Sequence, residues 1–517
     1  MNRKYFITAV FVVMCFASCD KFLDEVPDNR TELDTDEKIT KLLVSGYANN
    51  LFVLTTEMMS DNVDEKESTL TSFNMLQEQM YAWNDIVEIG TESPKLVWER
   101  YYAAIAAANQ TLKAIEEQGN PERLNPQRGE ALMIRAFHHF YLVNVFAKHY
   151  SEKTGNIDLG IPYIENPETM VNPPYERIPV AEVYKKTEQD VETALPLIDD
   201  NIYDAPKYHF NRKAAFAFAA RFNLFYRKYD KVIQYANEVL GDNPDGTLRD
   251  FSNIPNLTKE QLPLAMDYIR PEHSANLLLM VAHSRLGVIF GNYNTGKKYM
   301  HSSYLAGTET TQAATPWGYY SSSLYRLPSL SYTSGYVTQP KIPYLFEYTD
   351  PVAGIGYIRT VYPALQSDEI LLCRAEAYIM KGDFENAVND LALWVRRHTT
   401  SSIVLTRNLI NEHYKNLAYY TPYNPTPKKK LNLEFSITEE QENFLHCLLQ
   451  IRRIETIFEG LRWFDIKRFG IVIYRRYLDA NNSVTVRDSL SVDDPRRAIQ
   501  LPKEVINAGL PPNPRNK

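Results

Sequence analysis

Aromatic side chains that could bind a ligand are concentrated in one part of this sequence. Twelve of the 35 tyrosines fall between positions 288 and 365 of the 517 residues. Aromatic rings offer a flat apolar surface, to which tyrosine and tryptophan add a polar group. Such surfaces suit the C–H faces and hydroxyl rims of sugars. We therefore predict that some of these tyrosines form a ligand platform, while most of them pack the segment onto the rest of the chain.

Two segments that are far apart in the sequence carry the best candidates for this platform. Trp83 lies between two predicted helices, and Trp317 stands between a proline and a glycine, so neither position requires a buried indole. A few polar side chains are expected among the apolar walls of a pocket, where they orient the ligand. We predict one ligand-binding site that is formed by Trp83, Trp317, Tyr319, Tyr320, Asp61 and Asn62.

Nucleotide and metal sites are less well supported by the residue patterns. The segment 291–297 matches the first seven positions of a phosphate-binding P-loop, but Lys298 stands where the magnesium-binding serine or threonine is needed. His138 and His139 are adjacent in a predicted helix and face different directions, which disfavours a zinc site. The acidic segment 61–65 lacks the spacing of a calcium-binding EF-hand loop and is interpreted as a solvated or substrate-facing loop. We predict no metal and no cofactor.

Catalytic motifs are also missing from the sequence. It contains no HExxH and no GxSxG motif, and no catalytic triad can be named from it. The two carboxylates of a glycoside hydrolase can be distant in sequence, so this enzyme class stays open as an alternative. A helical scaffold that binds only protein partners is a third class. The net charge of -8, without any basic block, argues against nucleic acid. We predict a binding protein that is not an enzyme.

The first residues are typical of a secretory leader. Two basic residues precede an apolar run from Phe6 to Ala17, which is too short to span a membrane. No later segment approaches the roughly 18 uninterrupted apolar residues of a transmembrane helix. The segment 16–19 is similar to a bacterial lipobox, in which the cysteine is lipidated. We predict a signal peptide over residues 1–18 and a lipid anchor at Cys19.

Several other features are interpreted as structural. Cys373 and Cys447 lie inside amphipathic helical patterns and are predicted to be buried thiols. The lysines 428–430, in a proline-rich segment, are predicted to be solvated charge on a surface loop. Gly460 interrupts the apolar helical pattern of 444–469, so either another segment approaches it closely or the helix breaks there.

Pairs of amphipathic helices dominate the predicted fold. Apolar residues recur at helical spacing over residues 95–118, 127–148, 180–198, 212–226, 229–240, 368–380 and 384–397. The hairpins near 220–240 and 373–395 resemble tetratricopeptide units, because small residues allow close approach and a short turn joins the helices. The stretch 241–366 is expected to lack helices and to hold only short β-like pieces. We predict a mainly α protein, in which tetratricopeptide-like helical hairpins form a curved scaffold with a long irregular insertion.

Motifs along the whole chain resemble those of the SusD/RagB family and occur in the same order. The matching residues are Ser18–Asp24 with Pro27, Ser60–Asn62, Trp98 with Tyr102, Ile105 and Asn109, Gly129–Ala131 with Arg135 and Ala136, Asp368–Leu371 with Arg374–Tyr378, and Arg453 with Glu455, Glu459–Asp465 and Arg468. Each motif alone is weak, but their order and spacing are specific. The chain is similar to this family from end to end.

The resemblance implies a nutrient-binding lipoprotein that is lipid-anchored in the outer membrane and exposed at the cell surface. It implies that the protein covers a SusC-like TonB-dependent transporter and captures oligosaccharides, or peptides as in RagB-like members. Helical regions are expected at residues 19–240 and 367–517, on either side of the insertion 241–366. Ligand-contacting residues differ among members of the family, so the resemblance assigns none, and the matched motifs are expected to be structural.

Overall fold

The computed structural model describes residues 33–67, 74–168, 173–292 and 297–515. The α-helices are α1 Asp36–Val44, α2 Val53–Met59, α3 Met75–Tyr81, α4 Pro94–Glu117, α5 Asn125–Phe146, α6 Val180–Ala194, α7 Arg212–Phe225, α8 Tyr229–Leu240, α9 Gln261–Tyr268, α10 Leu286–Ile289, α11 Ser303–Glu309, α12 Ser367–Lys381, α13 Phe384–His398, α14 Arg407–Asn416, α15 Glu439–Glu455, α16 Arg462–Arg468 and α17 Lys503–Asn507. The β-strands are β1 Asp64–Lys66, β2 Asn276–His283, β3 Tyr299–Met300, β4 Leu330–Tyr332, β5 Tyr336–Thr338, β6 Leu345–Asp350, β7 Ile355–Gln366, β8 Ile473–Leu478 and β9 Val484–Leu490.

The predicted mainly α class is confirmed. In the described ranges, no helix combines the length and apolar character needed to cross a membrane.

Local sequence signals place the ends of the paired helices. Ser93 caps α4 by accepting a hydrogen bond from the backbone N–H of Leu96, and Pro94 occupies the first helical position. Gly382 ends α12 in the left-handed conformation, with φ of 76°, which a residue without Cβ adopts at little cost. The predicted pairs α4 with α5, α7 with α8, and α12 with α13 are confirmed, and their ends differ from the predicted ends by a few residues at most.

The helix pairs pack against one another through small and aromatic residues. Helix α5 packs against α4 and α6, and α12 packs against α7, α8, α13 and α15. Phe140 of α5 lies 5.6 Å from Phe218 and 6.0 Å from Phe222 of α7, measured between ring centroids. The alanines of α7 are fully buried, so this helix approaches its neighbours closely. Burial of these apolar groups stabilises the scaffold.

The insertion 241–366 is more regular than its sequence indicates. It contains α9 to α11 and β2 to β7, so the expectation that this stretch lacks helices is wrong. Strands β2, β7 and β6 form an antiparallel sheet in the order β2-β7-β6, and β4 pairs with β5. Strand β7 contains Gly356 and Pro363, which interrupt the alternation that identifies a strand in a sequence. Tertiary pairing, not local pattern, therefore determines much of this region.

A second sheet connects distant parts of the chain in the order β3-β1-β8-β9. Strand β1 pairs antiparallel with β3, where Asp64 lies opposite Met300, and parallel with β8, where Glu65 lies opposite Tyr477. The sheet therefore holds the segment that follows α2 between the insertion and the C-terminal region. This position draws residues 61–65 into the interior.

The predicted helical stretch 444–469 is broken at the glycine. Helix α15 ends at Glu455, α16 begins at Arg462, and Gly460 between them has φ of 75°. A Cβ atom on Gly460 would lie 2.9 Å from the Cα atom of Val53 and would overlap the Thr56 hydroxyl. Both sequence-based expectations are therefore confirmed: the helix breaks at Gly460, and α2 approaches it closely.

Candidate functional site

Asp61, a predicted ligand contact, is buried in an ion cluster. Its carboxylate accepts hydrogen bonds from Arg462 Nε at 2.8 Å and Nη2 at 2.9 Å, and lies 2.8 Å from Lys429 Nζ. The side chains of Arg453 and Glu309 complete this group, which we call the Asp61 cluster. Asp61 is only 6% exposed. The prediction that Asp61 lies on a solvated or substrate-facing loop is wrong, because β1 carries this segment into the interior.

Asn62, the second predicted polar contact, is also buried. Its side chain donates to Glu57 Oε1 at 2.8 Å and accepts from Arg453 Nε at 2.8 Å. Each of these partners is itself buried. Asn62 therefore has no contact with solvent through which it could orient a ligand, and the expectation of an accessible amide is wrong.

The lysine run 428–430 does not behave as surface charge throughout. Lys428 and Lys429 are buried, and only Lys430 is exposed. Lys428 Nζ donates to the Tyr414 carbonyl at 2.5 Å, and Lys429 Nζ lies 2.8 Å from a carboxylate oxygen of Asp61 and of Glu309. The prediction of a solvated lysine loop is wrong for these two residues, because Lys428 is bonded to a backbone carbonyl and the acidic partners of Lys429 are more than a hundred residues away in the sequence.

Electrostatics within the Asp61 cluster favour the charged carboxylates. Burial opposes ionisation of Asp61, but the charges of Arg453, Arg462 and Lys429 outweigh it and hold the pKa of Asp61 well below its usual range. Burial likewise opposes ionisation of Glu309, but the charges of Lys429, Arg476 and Arg453 lower its pKa to about 2. Both acids are therefore ionised at neutral pH and bound by cations. They are structural groups rather than a catalytic acid pair.

Trp83 is buried in the described structure. Its indole Nε1 donates to the Met59 carbonyl at 2.8 Å, and the Arg475 guanidinium lies 3.9 Å from the ring centroid. The side chain is 2% exposed. The prediction that Trp83 offers an accessible ring is wrong. A loop position in sequence does not imply exposure when the loop is packed under a strand such as β8.

Trp317 is buried as well, against the scaffold. Its ring is fully enclosed and lies edge-on to Trp394 of α13, with 6.1 Å between centroids. Its backbone carbonyl accepts a hydrogen bond from Ser401 Oγ at 2.5 Å. The prediction of an exposed Trp317 is wrong, and its contacts indicate that it anchors the insertion to the scaffold.

Tyr319 and Tyr320 remain on the surface. Tyr319 is 87% exposed and Tyr320 is 38% exposed. They follow a turn in which Thr315 and Gly318 exchange two backbone hydrogen bonds of 3.3 Å. Ile403 and Val404, both exposed, belong to the segment that packs beside Gly318. We call the surface formed by Tyr319, Tyr320, Ile403 and Val404 the tyrosine patch.

The buried anchor and the exposed rings belong to one short segment. Because Trp317 is packed against Trp394, the turn that carries the tyrosine patch is anchored to the scaffold. Pre-positioned aromatic surfaces lose little conformational entropy when they bind a ligand. Of the six predicted contacts, Tyr319 and Tyr320 thus remain candidates for direct ligand contact, and no contact joins the Trp83 side chain to this patch in the described residues.

Other candidate chemical groups are accounted for by internal contacts. His138 and His139 bond the backbone carbonyls of Ile134 and Arg135, one turn earlier in α5, at 2.8 and 2.9 Å. Burial lowers the pKa of His138 to about 4. Across the part of the chain that the structure describes, no group of three His, Cys, Asp or Glu side chains could hold a metal ion.

The thiol prediction is confirmed, and the P-loop-like segment lies partly outside the described residues. Cys373 and Cys447 are buried and free. Residues 293–296 are not described, whereas Lys297 is buried and donates to the Gly291 carbonyl at 2.5 Å. The amine of Lys297 is therefore bonded to the backbone of its own loop.

The family-like motifs contact one another across the fold. Asp61 of the second motif pairs with Arg462 of the last, and Asn109 accepts a hydrogen bond from Arg135 at 3.0 Å. Arg468 binds Glu376 through its guanidinium, with the shorter distance 2.6 Å. The fold brings these residues, which are distant in the sequence, together in its interior. Their role is therefore structural, as expected.

Family models match two long parts of the chain. A model described as starch-binding and associating with the outer membrane matches residues 21–224, and the SusD family model matches residues 289–500. The chain belongs to the SusD/RagB family. No curated protein matches it.

Solved structures share the fold of this SusD/RagB member at low sequence identity. A putative sugar binding protein from Bacteroides vulgatus ATCC 8482 is 17% identical, with a TM-score of 0.68, over 94% of this chain and 99% of that one. A SusD superfamily protein from Bacteroides thetaiotaomicron VPI-5482 is 18% identical, with a TM-score of 0.62, over 92% and 98%. Another from Bacteroides vulgatus ATCC 8482 is 19% identical, with a TM-score of 0.62, over 94% and 100%. These similarities concern the fold.

Proposed function

We propose that this SusD/RagB member is a non-enzymatic, lipid-anchored protein of the outer-membrane surface that binds oligosaccharides and passes them to a SusC-like TonB-dependent transporter. Family membership supports an outer-membrane binding role, since one matching family model is described as starch-binding. The structural neighbour that is named as a putative sugar binding protein covers nearly the whole chain. The tyrosine patch supplies a surface on which such a ligand could bind.

The observation that carries the proposal is the display of Tyr319 and Tyr320 beside the buried Trp317. Exposed apolar side chains that form a contiguous patch, such as Tyr319 and Tyr320 beside Ile403 and Val404, are a common mark of a binding surface. A sugar ring can stack on Tyr319 through its C–H face, while the tyrosine hydroxyls bind its rim. At this patch the ligand would thus be recognised by shape and stacking.

A screen of glycans and peptides against the purified protein tests the ligand class. Binding of an oligosaccharide supports the proposal. Binding of peptides alone would replace it with the peptide-uptake role of RagB-like members. Release of shortened sugars from a bound oligosaccharide would instead show a glycoside hydrolase.

Variants then test the tyrosine patch with the oligosaccharide found. Tyr319→Ala and Tyr320→Ala should each weaken binding by about thirtyfold, which corresponds to about 2 kcal/mol for an anchoring ring. Tyr348→Ala is the matched control, because Tyr348 is 58% exposed on β6, outside the patch. Unchanged affinity in both patch variants, measured by calorimetry, would place the ligand elsewhere.

Transfer of the ligand requires a partner, because a tethered binding protein cannot itself move a solute across the membrane. We expect purification of the protein in mild detergent to recover a large TonB-dependent barrel. Failure to recover any barrel while its gene is expressed would contradict this part of the proposal.

A further inference from the structure

A positively charged cleft lies at the junction of the insertion and the end of α13. It has a volume of about 420 Å³ and is lined by four arginines, Arg249, Arg326, Arg396 and Arg397, and by two acids, Asp245 and Asp250. This volume falls within the range of small-molecule pockets. A third acid, Asp368, lies 3.9 Å from Arg249 Nε, so the four arginines and three acids leave a local excess of one positive charge in a chain whose net charge is -8. The cleft is a place where an anion would be attracted.

The two acids do not neutralise the cleft. Asp250 is held by its own turn, where it accepts from the Ser252 backbone N–H at 2.9 Å and the Ser252 hydroxyl at 2.8 Å. Asp245 is shared between two arginines at long distances, 3.3 Å to Arg396 Nη2 and 3.8 Å to Arg397 Nε. Neither acid makes a close bidentate pair with an arginine, so most guanidinium N–H groups of the rim stay available.

Three arginines of the cleft keep guanidinium N–H groups that make no hydrogen bond with a described residue. Arg326 is exposed, and its guanidinium makes no hydrogen bond or ion pair with any described residue. The side chain of Arg396 is 68% exposed and has only its contact with Asp245. Arg397 Nε is buried and makes no hydrogen bond in the described structure. A buried donor that lacks an acceptor is costly, and an incoming anion would supply the acceptor.

The floor of the cleft is rigid. Arg249 is almost fully buried, and its guanidinium donates to the Tyr268 carbonyl at 2.8 Å and to Asn276 and Gln366 at 2.7 Å. Its own backbone carbonyl accepts from Arg397 Nη2 at 3.2 Å, which sets the position of Arg397. Phe251, another lining residue, packs edge-on against His398 with 5.1 Å between centroids. Arg249 and Arg397 are therefore held by hydrogen bonds beside an apolar wall.

We propose that this cleft, which we call the arginine cleft, binds the carboxylate or sulfate group of an acidic oligosaccharide. Guanidinium groups bind such planar or tetrahedral anions through paired, charge-assisted hydrogen bonds. Arg326 and Arg396 contact the anion from the rim, and Arg397 contacts it from below. The choice of a saccharide rests on the proposed function, whereas the preference for an anion rests on the cleft alone.

Calorimetry on the full protein tests the ligand class with four probes: tetragalacturonate, its carboxyl-reduced neutral counterpart, a sulfated tetragalactose and tetraglutamate. We expect tetragalacturonate or the sulfated probe to bind at least about tenfold more tightly than the neutral counterpart, and to lose affinity as salt is raised. Equal affinity for acidic and neutral sugars would overturn the proposal. Binding of tetraglutamate without binding of either acidic sugar would also overturn it, in favour of an acidic peptide.

Paired variants test the position of the site. The double variant Arg326→Gln/Arg396→Gln should bind the acidic sugar at least about tenfold more weakly and should keep the wild-type unfolding temperature, because both side chains are exposed. Arg212→Gln is the matched control, since the Arg212 side chain is 54% exposed and has a comparable 3.4 Å contact with Glu238. Full affinity in the double variant would overturn the site.

The two proposals fail in different ways. If a neutral oligosaccharide binds through Tyr319 and the arginine variants have no effect, the proposed function stands and the arginine cleft is rejected. If no oligosaccharide binds but tetraglutamate binds in an Arg326-dependent manner, the anion preference of the cleft stands. In that case both the proposed saccharide function and the acidic-saccharide assignment are rejected.

Discussion

Asp61 illustrates, at the scale of single residues, how charge is used inside this protein. Its carboxylate is enclosed with Arg462, Arg453 and Lys429, and burial of such groups is costly unless every charge is paired. The sequence separation of about 400 residues between Asp61 and Arg462 hides this pairing from any local pattern. For this reason the acidic segment could not be distinguished from a ligand-binding loop before the structure was known.

We predict that Asp61→Asn destabilises the protein by about 3–5 kcal/mol at pH 7, because Arg462 and Lys429 are left buried without a full counter-charge. The measurement is the unfolding midpoint in guanidinium chloride. Asp34→Asn is the control, because Asp34 forms an exposed pair with Lys38 and its loss should not change the midpoint measurably. Equal effects of both substitutions would contradict a structural role for the Asp61 cluster.

The same cluster predicts a defined dependence of stability on pH. The pKa of Glu309 is lowered from 4.5 in the unfolded chain to about 2 in the folded protein, and that of Asp61 is lowered from 3.8. Their contribution to stability is therefore complete above about pH 4.5 and is lost as the pH falls toward 2. We expect the difference in unfolding midpoint between wild type and Asp61→Asn to shrink across this window. A constant difference from pH 7 to pH 3 would contradict the pKa shift.

Trp317 and Tyr319 are two residues apart but should behave in opposite ways. Trp317→Ala removes a fully buried ring that packs on Trp394 and should cost about 3–5 kcal/mol of stability. Tyr319→Ala removes an exposed ring and should change stability by no more than about 0.5 kcal/mol. Thermal unfolding measures both effects. Similar unfolding temperatures for the two variants would contradict the assignment of Trp317 as the anchor of the tyrosine patch.

At the scale of elements, the sequence predicts the positions of the helices well and the contacts between distant elements poorly. The pairs α4 with α5 and α12 with α13 follow from apolar periodicity, caps and tight turns, which are all local signals. The sheet of β3, β1, β8 and β9 joins segments from opposite ends of the chain, and no local signal specifies its pairing. The burial of Trp83 follows from that sheet, through Arg475 of β8, and was therefore predicted wrongly.

The break between α15 and α16 offers a direct test of element packing. Gly460 combines φ of 75° with a close approach to Val53 and Thr56 of α2. We predict that Gly460→Ala costs about 2–5 kcal/mol, the sum of about 1–2 kcal/mol for the left-handed backbone and about 1–3 kcal/mol for overpacking. Chemical denaturation gives this value.

Gly382 provides the matched control for this prediction. It has nearly the same φ, 76°, but a Cβ atom there would meet no atom within 4 Å. Gly382→Ala should therefore cost only the backbone part, about 1–2 kcal/mol. If the two variants lose the same free energy of unfolding, then the close approach of α2 to Gly460 contributes nothing. The break in the helix would then come from backbone conformation alone.

At the scale of the whole molecule, the family and its fold could be predicted from the sequence, whereas most of the candidate site could not. The ordered motifs are structural contacts such as Asn109 with Arg135, and their order survives because the fold requires it. The residues that contact a ligand follow no such fixed order or spacing in the sequence. The arginine cleft joins Arg249, Arg326 and Arg396 from three separate segments, and only the folded chain brings them together.

The proposed function also depends on attachment to the membrane, which rests on Cys19, outside the described residues. A lipid on this cysteine would tether the protein to the membrane. We predict that the wild-type protein incorporates labelled palmitate and that Cys19→Ala does not, because the acylated thiol is removed. Cys15→Ala is the matched control, as Cys15 lies four residues earlier, within the predicted leader, but follows Met14 rather than a small residue. It should be labelled like the wild type. Continued labelling of Cys19→Ala would rule out this cysteine as the anchor. Protease treatment of intact cells then shows whether the protein is exposed at the cell surface.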